Sequence, residues 1–120
     1  MSMEGELKDL LKTLGHPVVW GVFGDDVGLP RISLQRISNV TGYSLKNRAD
    51  VETARIQVNV AAAKYGQLIS LAPLVSRTLT SFRGRTVIRC KEISRRDGFS
   101  VTGGDVVRLQ MLDFQVRYRA

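Results

Sequence analysis

Residues 53 to 83 read TARIQVNVAAAKYGQLISLAPLVSRTLTSFR, and the hydrophobic period changes partway along them. From Ala54 to Ala62 apolar residues alternate: Ala54, Ile56, Val58, Val60 and Ala62 fall on one side, Arg55, Gln57 and Asn59 on the other. That is the pattern of a half-buried strand. From about Lys64 the spacing becomes three or four, with Leu68, Leu71, Ala72, Val75, Leu79 and Phe82 forming one stripe of an amphipathic helix. A strand running straight into such a helix buries both apolar faces only if the helix folds back onto the sheet. Pro73 interrupts the helical pattern and removes one backbone hydrogen bond. The stripe keeps its phase through Pro73, so a kinked or two-part helix is expected, with a late start near Ser70 as the alternative.

Upstream, Glu4 to Leu14 reads as a short helix with Leu7, Leu10, Leu11 and Leu14 as its stripe, acidic residues in the first turn and Gly15 at its end. His16 beside Pro17 reads as a turn. Val18 to Phe23 is a short strand or extended segment carrying Trp20 as an anchor, and Gly24 to Pro30 is a turn-rich connector. Arg31 to Val40 alternates with a slip. Ile32 and Leu34 share a face and Ile37 does not, which predicts a bulge near Arg36 or burial on both faces. Thr41 to Glu52 then reads as a long loop, a candidate interaction segment with Tyr43 and Leu45 as apolar contacts and Lys46 and Arg48 as charged ones.

Downstream, Arg85 to Ser94 is a strand with Ile88 and Cys90 on one face and Val87 and Ile93 opposite. Arg95 to Asp105, with Arg95, Arg96 and Phe99, reads as a second long connection. The last strand, Val106 to Ala120, alternates Leu112, Phe114, Val116 and Tyr118 against Asp113, Gln115, Arg117 and Arg119. Val107, Leu109 and Met111 are out of phase, which predicts a bend or bulge near Met111. The sum is one α+β domain over residues 1–120: a mostly antiparallel sheet of four to five strands with two helices on one face. Its other face carries Arg55, Gln57, Asn59, Asp113, Gln115 and Arg117, either wet or a polar interface.

The composition narrows the function. With 120 residues and 43% hydrophobic content, one core is the expectation. No apolar run reaches the roughly 20 residues of a membrane helix, and the N-terminal stretch lacks signal-peptide features, so a soluble intracellular product is expected. The single cysteine, Cys90, excludes an intramolecular disulfide and reads as a small core residue. There is no phosphate-binding glycine loop, no histidine pair for a metal, no nucleophile, histidine and acid set and no acid-base carboxylate pair. Tyr65 and Lys64 read as rim residues of the helix. No enzyme and no cofactor are expected. Eighteen Lys and Arg against eleven Asp and Glu give a net charge of +7, which permits binding to nucleic acid or an acidic protein. The basic residues are not interleaved with aromatics as in a base-stacking platform.

A leucine-rich first helix, the strand PRISLQRIS, a long loop, RIQVNVAAAKYGQLISLAPLVSRTL and an ending LDFQVRYRA together resemble the tail completion proteins of long-tailed bacteriophages and gene transfer agents. Arg55, Gln57, Val58 and Asn59 match that family's strand-to-helix signature, and Asp113, Phe114, Val116 and Tyr118 its terminal strand. The resemblance implies a tail terminator: a hexameric ring that caps the tail tube, ends its polymerisation and joins it to the head connector. The location implied is the head-proximal end of the virion tail, reached from the host cytoplasm during assembly. Its partners would be other copies, the tail tube protein, the head connector or stopper, and DNA passing through the lumen. Under that reading Tyr43, Leu45, Lys46, Arg48, Arg95, Arg96 and Phe99 make axial or neighbour contacts. Arg55, Gln57 and Arg117 form ring contacts or line the lumen. The rivals are a small basic nucleic-acid-binding domain and another phage neck or adaptor protein.

Overall fold

The computed structural model describes residues 2–21, 28–43, 48–102 and 105–119, with the backbone alone at 40–43, 48–50, 100–102 and 105. Its elements run α1 (Met3–Lys12), β1 (Val18–Trp20), β2 (Arg31–Tyr43), β3 (Arg48–Ala62), α2 (Tyr65–Thr80), β4 (Val87–Thr102) and β5 (Asp105–Arg119). They build one five-stranded sheet in the order β1-β2-β3-β5-β4. β1 runs parallel to β2, and the other pairings are antiparallel. The expected α+β architecture, with two helices and a mostly antiparallel sheet, is the one observed.

The alternation in residues 54–62 decides which face is covered. Ala54, Ile56, Val58, Val60 and Ala62 are buried, together with Ile32 and Leu34 of β2 and Leu112, Phe114 and Val116 of β5. α2 meets this surface with Leu68, Leu71, Ala72, Val75 and Leu79. The helix is continuous from Tyr65 to Thr80, so it neither starts late at Ser70 nor splits at Pro73. The hydrogen bond that Pro73 forgoes would reach the carbonyl of Ile69, whose side chain is half exposed. The break therefore falls toward the solvent side. α1 packs beside α2 with Met3, Leu7 and Leu11 buried and begins at Ser2, whose Oγ accepts from the Gly5 N–H at 3.0 Å. Phe82 lies just past α2 and packs against the core. Trp20 does the same from β1 while its Nε1 donates to the Glu4 carbonyl at 2.9 Å, the anchoring role its sequence position predicts.

Two polar groups tie the layers together. Glu6 of α1 is 5% exposed and accepts from the backbone N–H groups of Thr86 at 2.7 Å and Val87 at 3.3 Å. Burial by itself pushes its carboxyl up, but hydrogen bonds from the Thr86 side chain and from the Val87 and Thr86 backbone outweigh that and hold it below the usual carboxylate value. At the far end of the sheet the buried Tyr118 hydroxyl lies 2.7 Å from both Glu52 Oε2 and Asn39 Oδ1, joining β2, β3 and β5. Burial and then the bond to Glu52 raise the Tyr118 phenol above its usual value.

Several sequence expectations change. Thr41 to Glu52 is not one long loop: β2 continues to Tyr43 and β3 begins at Arg48. Leu45 and Lys46 lie outside the described residues. Arg95 to Asp105 is not a connection either, since β4 runs through Arg95, Arg96 and Phe99 to Thr102. Arg95, Arg96, Asp97 and Phe99 are exposed, so no burial imposes alternation on them and their sequence reads as loop. The expected bulge near Met111 is absent. β5 keeps unbroken register with β3 from Val51↔Arg119 to Ala62↔Arg108. Val107, Leu109 and Met111 instead make an apolar corner on the open face with Ala61 and Gly98, where a Cβ on Gly98 would meet the Met111 Cε at 2.8 Å.

The irregularities lie in the outer strands. β2 slips between Arg36 and Ser38, as its sequence predicts, and again between Thr41 and Tyr43. β4 slips between Val87 and Arg89 and between Glu92 and Ser94. The first β4 slip turns Val87 and Cys90 to the same buried face, contrary to the strict alternation expected of them. Burial pushes the Cys90 thiol up to about 12.

Candidate functional site: an open, basic sheet face

Both helices cover one side of the sheet, which leaves the other without a packing layer among the described residues. The registers place its side chains in rungs running β2, β3, β5, β4: Arg31, Ala61, Leu109, Gly98; Ser33, Asn59, Met111, Arg96; Gln35, Gln57, Asp113, Ser94; Ser38, Arg55, Gln115, Lys91. One rung further, Thr53, Arg117 and Arg89 are neighbours. Arg55, Arg89, Lys91, Arg96 and Arg117 are all exposed.

Asp113 is the acid in these rungs. It stands 3.4 Å from Arg55 Nη2 and accepts from Ser94 Oγ at 3.1 Å. Arg117 and Arg89, by contrast, lie directly opposite one another on adjacent strands, with Arg55 and Lys91 one rung away. Like charges directly across a strand pair are destabilising. A face that holds four cations in two adjoining rungs attracts an anionic surface, and its polar groups at Gln57, Asn59 and Gln115 offer hydrogen bonds to one.

The sequence-derived site residues separate into three places. Arg55, Gln57, Arg96 and Arg117 meet on the open face. Arg95 lies across from Leu112 and turns back to Glu92, its Nη2 at 2.8 Å from Oε1. Phe99, 72% exposed, borders an open notch of about 450 Å³ beside the start of α2, lined also by Tyr65, Leu68, Asp97, Val106 and Arg108. The Asp97 carboxylate there accepts from Tyr65 Oη at 3.3 Å and Gln110 Nε2 at 2.8 Å, a structural arrangement joining β4, β5 and α2. Tyr43 and Arg48 pair near the β2-β3 turn. Sequence reasoning missed Arg31, Arg89 and Lys91 as members of the basic face. The two-residue spacing of Arg89 and Lys91 is the signal that could have joined them to it.

The two hairpins overhang opposite ends of the sheet. β2 and β3 extend beyond the end of β5 at the Val51↔Arg119 pair, while β4 and β5 extend beyond Ala62↔Arg108. The molecule is accordingly elongated, 56 × 24 × 22 Å. Among the described residues no group of three or more His, Cys, Asp or Glu could hold a metal ion, and no helix is long and apolar enough to cross a membrane.

Comparison of the sequence with protein-family models and with curated proteins finds no match. Among solved structures, the fold is similar to a chain from the virion of a native gene transfer agent particle, with a TM-score of 0.65 and 16% identity. The similarity covers 92% of this chain and 84% of that one, so the shared fold takes in nearly the whole domain.

Proposed function

We propose that this chain is a structural virion protein of the tail-completion type. It forms a ring, hexameric by the family resemblance, that caps the tail tube, ends its growth and joins it to the head connector. The observation that carries the reading is the fold shared over 92% of the chain with a component of a gene transfer agent virion. Two further features suit it. A ring needs a heterologous interface that closes by rotation, and the sheet has two different sides to offer. A cap must meet different partners at its two ends, and the two hairpins overhang opposite ends of a 56 Å long molecule. The open face, with Arg55, Lys91, Arg89 and Arg117, would line the lumen against DNA. The tips near Tyr43 and Arg48, with Leu45 and Lys46 between them in sequence, would reach an axial partner, as would the Phe99 arm at the other end. No residue carries a reaction in this reading.

Native mass spectrometry tests it: one closed species of fixed copy number supports the ring, and an open-ended ladder contradicts it. The opposed Arg89 and Arg117 favour a second reading, a small nucleic-acid-binding domain acting as a monomer. That reading requires duplex affinity falling with salt at a log-log slope of about −0.9 per phosphate contact, without any ring.

A further inference from the structure

The two sides of the sheet end in free strand edges. β1 pairs with only the first part of β2, up to Trp20↔Leu34, and among the described residues no strand lies against the outer edge of β2 beyond it. On the opposite side β4 is the last strand; Glu6 and Gly84 occupy its Val87 N–H and carbonyl, and beyond Val87 no strand among the described residues lies against its outer edge. Unpaired edges of this length are templates for another strand, and bulges and charges are the usual means of restricting what pairs there. Both edges carry such a bulge. In β2 the bulged residue is Ile37, 51% exposed, and in β4 it is Ile93, 47% exposed.

These two isoleucines flank one level of the sheet. The rung Arg36, Ile56, Phe114, Glu92 crosses β2, β3, β5 and β4 without interruption. Ile37 follows Arg36 at one end of that rung and Ile93 follows Glu92 at the other, on opposite sides of the rung because the two strands run in opposite directions. The strand directions also agree: β2 and β4 are antiparallel, because two strands, each antiparallel to its neighbours, separate them. A rotation about an axis along the strands therefore sets β4 of one copy antiparallel to β2 of the next, extending the sheet without reversing its alternation.

We infer that a second copy of this chain docks edge to edge, β4 of one subunit on the outer edge of β2 of the next, with Glu92 across from Arg36 and with Ile37 and Ile93 flanking that pair, one on either side. The occupant is set by charge as well as by level. The bulged half of β4 carries Arg89, Lys91, Arg95 and Arg96 against Glu92 and Asp97, so β4 pairing with itself sets like charges together. β2 supplies Arg36 at the level of the Glu92 carboxylate, and opposite charges directly across a strand pair are favourable. Glu92 now holds Arg95, and Arg36 pairs with Glu4, so both side chains extend their existing pairs across the contact. Because the two patches differ, the contact is heterologous and propagates around a ring. This inference rests on the ring proposed above and adds its seam.

The test uses single cysteines in a Cys90→Ala background: Ile37→Cys, Ile93→Cys and the double variant, treated with a short bis-maleimide. Both positions are exposed bulges, and an unchanged circular dichroism spectrum verifies the fold. The expected result is covalent dimer when the two single variants are mixed, none from either variant alone, and a covalent species of the full ring's mass from the double variant. Dimer from one single variant alone, or a ring in native mass spectrometry whose double variant does not link, overturns the seam and leaves the ring standing. A chain that stays monomeric up to its solubility limit and does not link overturns both.

Discussion

Replacing Glu6 by glutamine tests how the first helix is fastened to the sheet. The carboxylate takes two backbone N–H groups, Thr86 at 2.7 Å and Val87 at 3.3 Å, from a position 5% exposed. Glutamine keeps one acceptor oxygen and turns an NH2 toward the other donor, so one charge-assisted bond is lost in a buried place. That loss costs about 1.5 to 3 kcal/mol. In urea, with a slope of roughly 1 to 3 kcal/mol per molar, a 2 kcal/mol loss lowers the midpoint by about 0.7 to 2 M. The pH dependence identifies the cause. The folded-state value of Glu6 is lowered, so its contribution is complete above the unfolded value of about 4.3 and disappears as pH falls through the folded value. The gap between wild type and Glu6→Gln should be full at neutral pH and narrow progressively as pH falls below the unfolded value of about 4.3. Gly84→Ala should reproduce the loss, because its new Cβ would occupy the place of the Glu6 carboxylate and meet the Phe82 ring at 2.8 Å. A gap equal at neutral and acid pH would refute the assignment of these bonds to the ionised carboxylate.

Phe114→Ala removes the largest fully buried side chain among the described residues and should cost about 3 to 5 kcal/mol. At about 2.1 cal/mol/K per residue, that is a fall of roughly 12 to 20 °C in melting temperature, read by calorimetry; an unchanged value would mean the faces of β5 are misassigned. Cys90, 2% exposed and with its thiol pushed up to about 12, should react with a thiol reagent at pH 8 only as fast as the protein opens. Fast labelling of the native chain would show the sheet is not closed there. Arg89→Gln relieves the opposition with Arg117 and should leave stability unchanged or raise it by about 0.2 to 1 kcal/mol at low salt. The same change should weaken duplex DNA binding and reduce the salt slope by about one contact; a clear loss of stability would mean this pair is held by an interaction within the chain.

The parts of the fold legible in the sequence are those in which burial on one side imposes a period. β3 from Ala54 to Ala62, α2 and the Leu112 to Tyr118 half of β5 could be read directly because the helices cover them. The β4 arm beyond Ser94 could not, since Arg95, Arg96, Asp97 and Phe99 are exposed and only pairing with β5 makes them a strand. Bulges hid more. The slip at Ile88 turns Val87 and Cys90 to one side, which a fixed period of two cannot represent. The basic face was legible in Arg55 and Arg117 but not as a cluster. Its assembly requires Arg89 and Lys91 to arrive from another strand, in a phase that the bulges determine.

Electron microscopy of tails lacking this protein, mixed with the purified and labelled chain, tests the tail-completion reading most directly. Label confined to the head-proximal tip, with tube growth ended and the tails now able to join heads, is the expected result. Label absent from the tails, together with salt-sensitive binding of duplex DNA by a monomer, would contradict the reading and make Arg55, Arg89, Lys91 and Arg117 the residues of a nucleic-acid site.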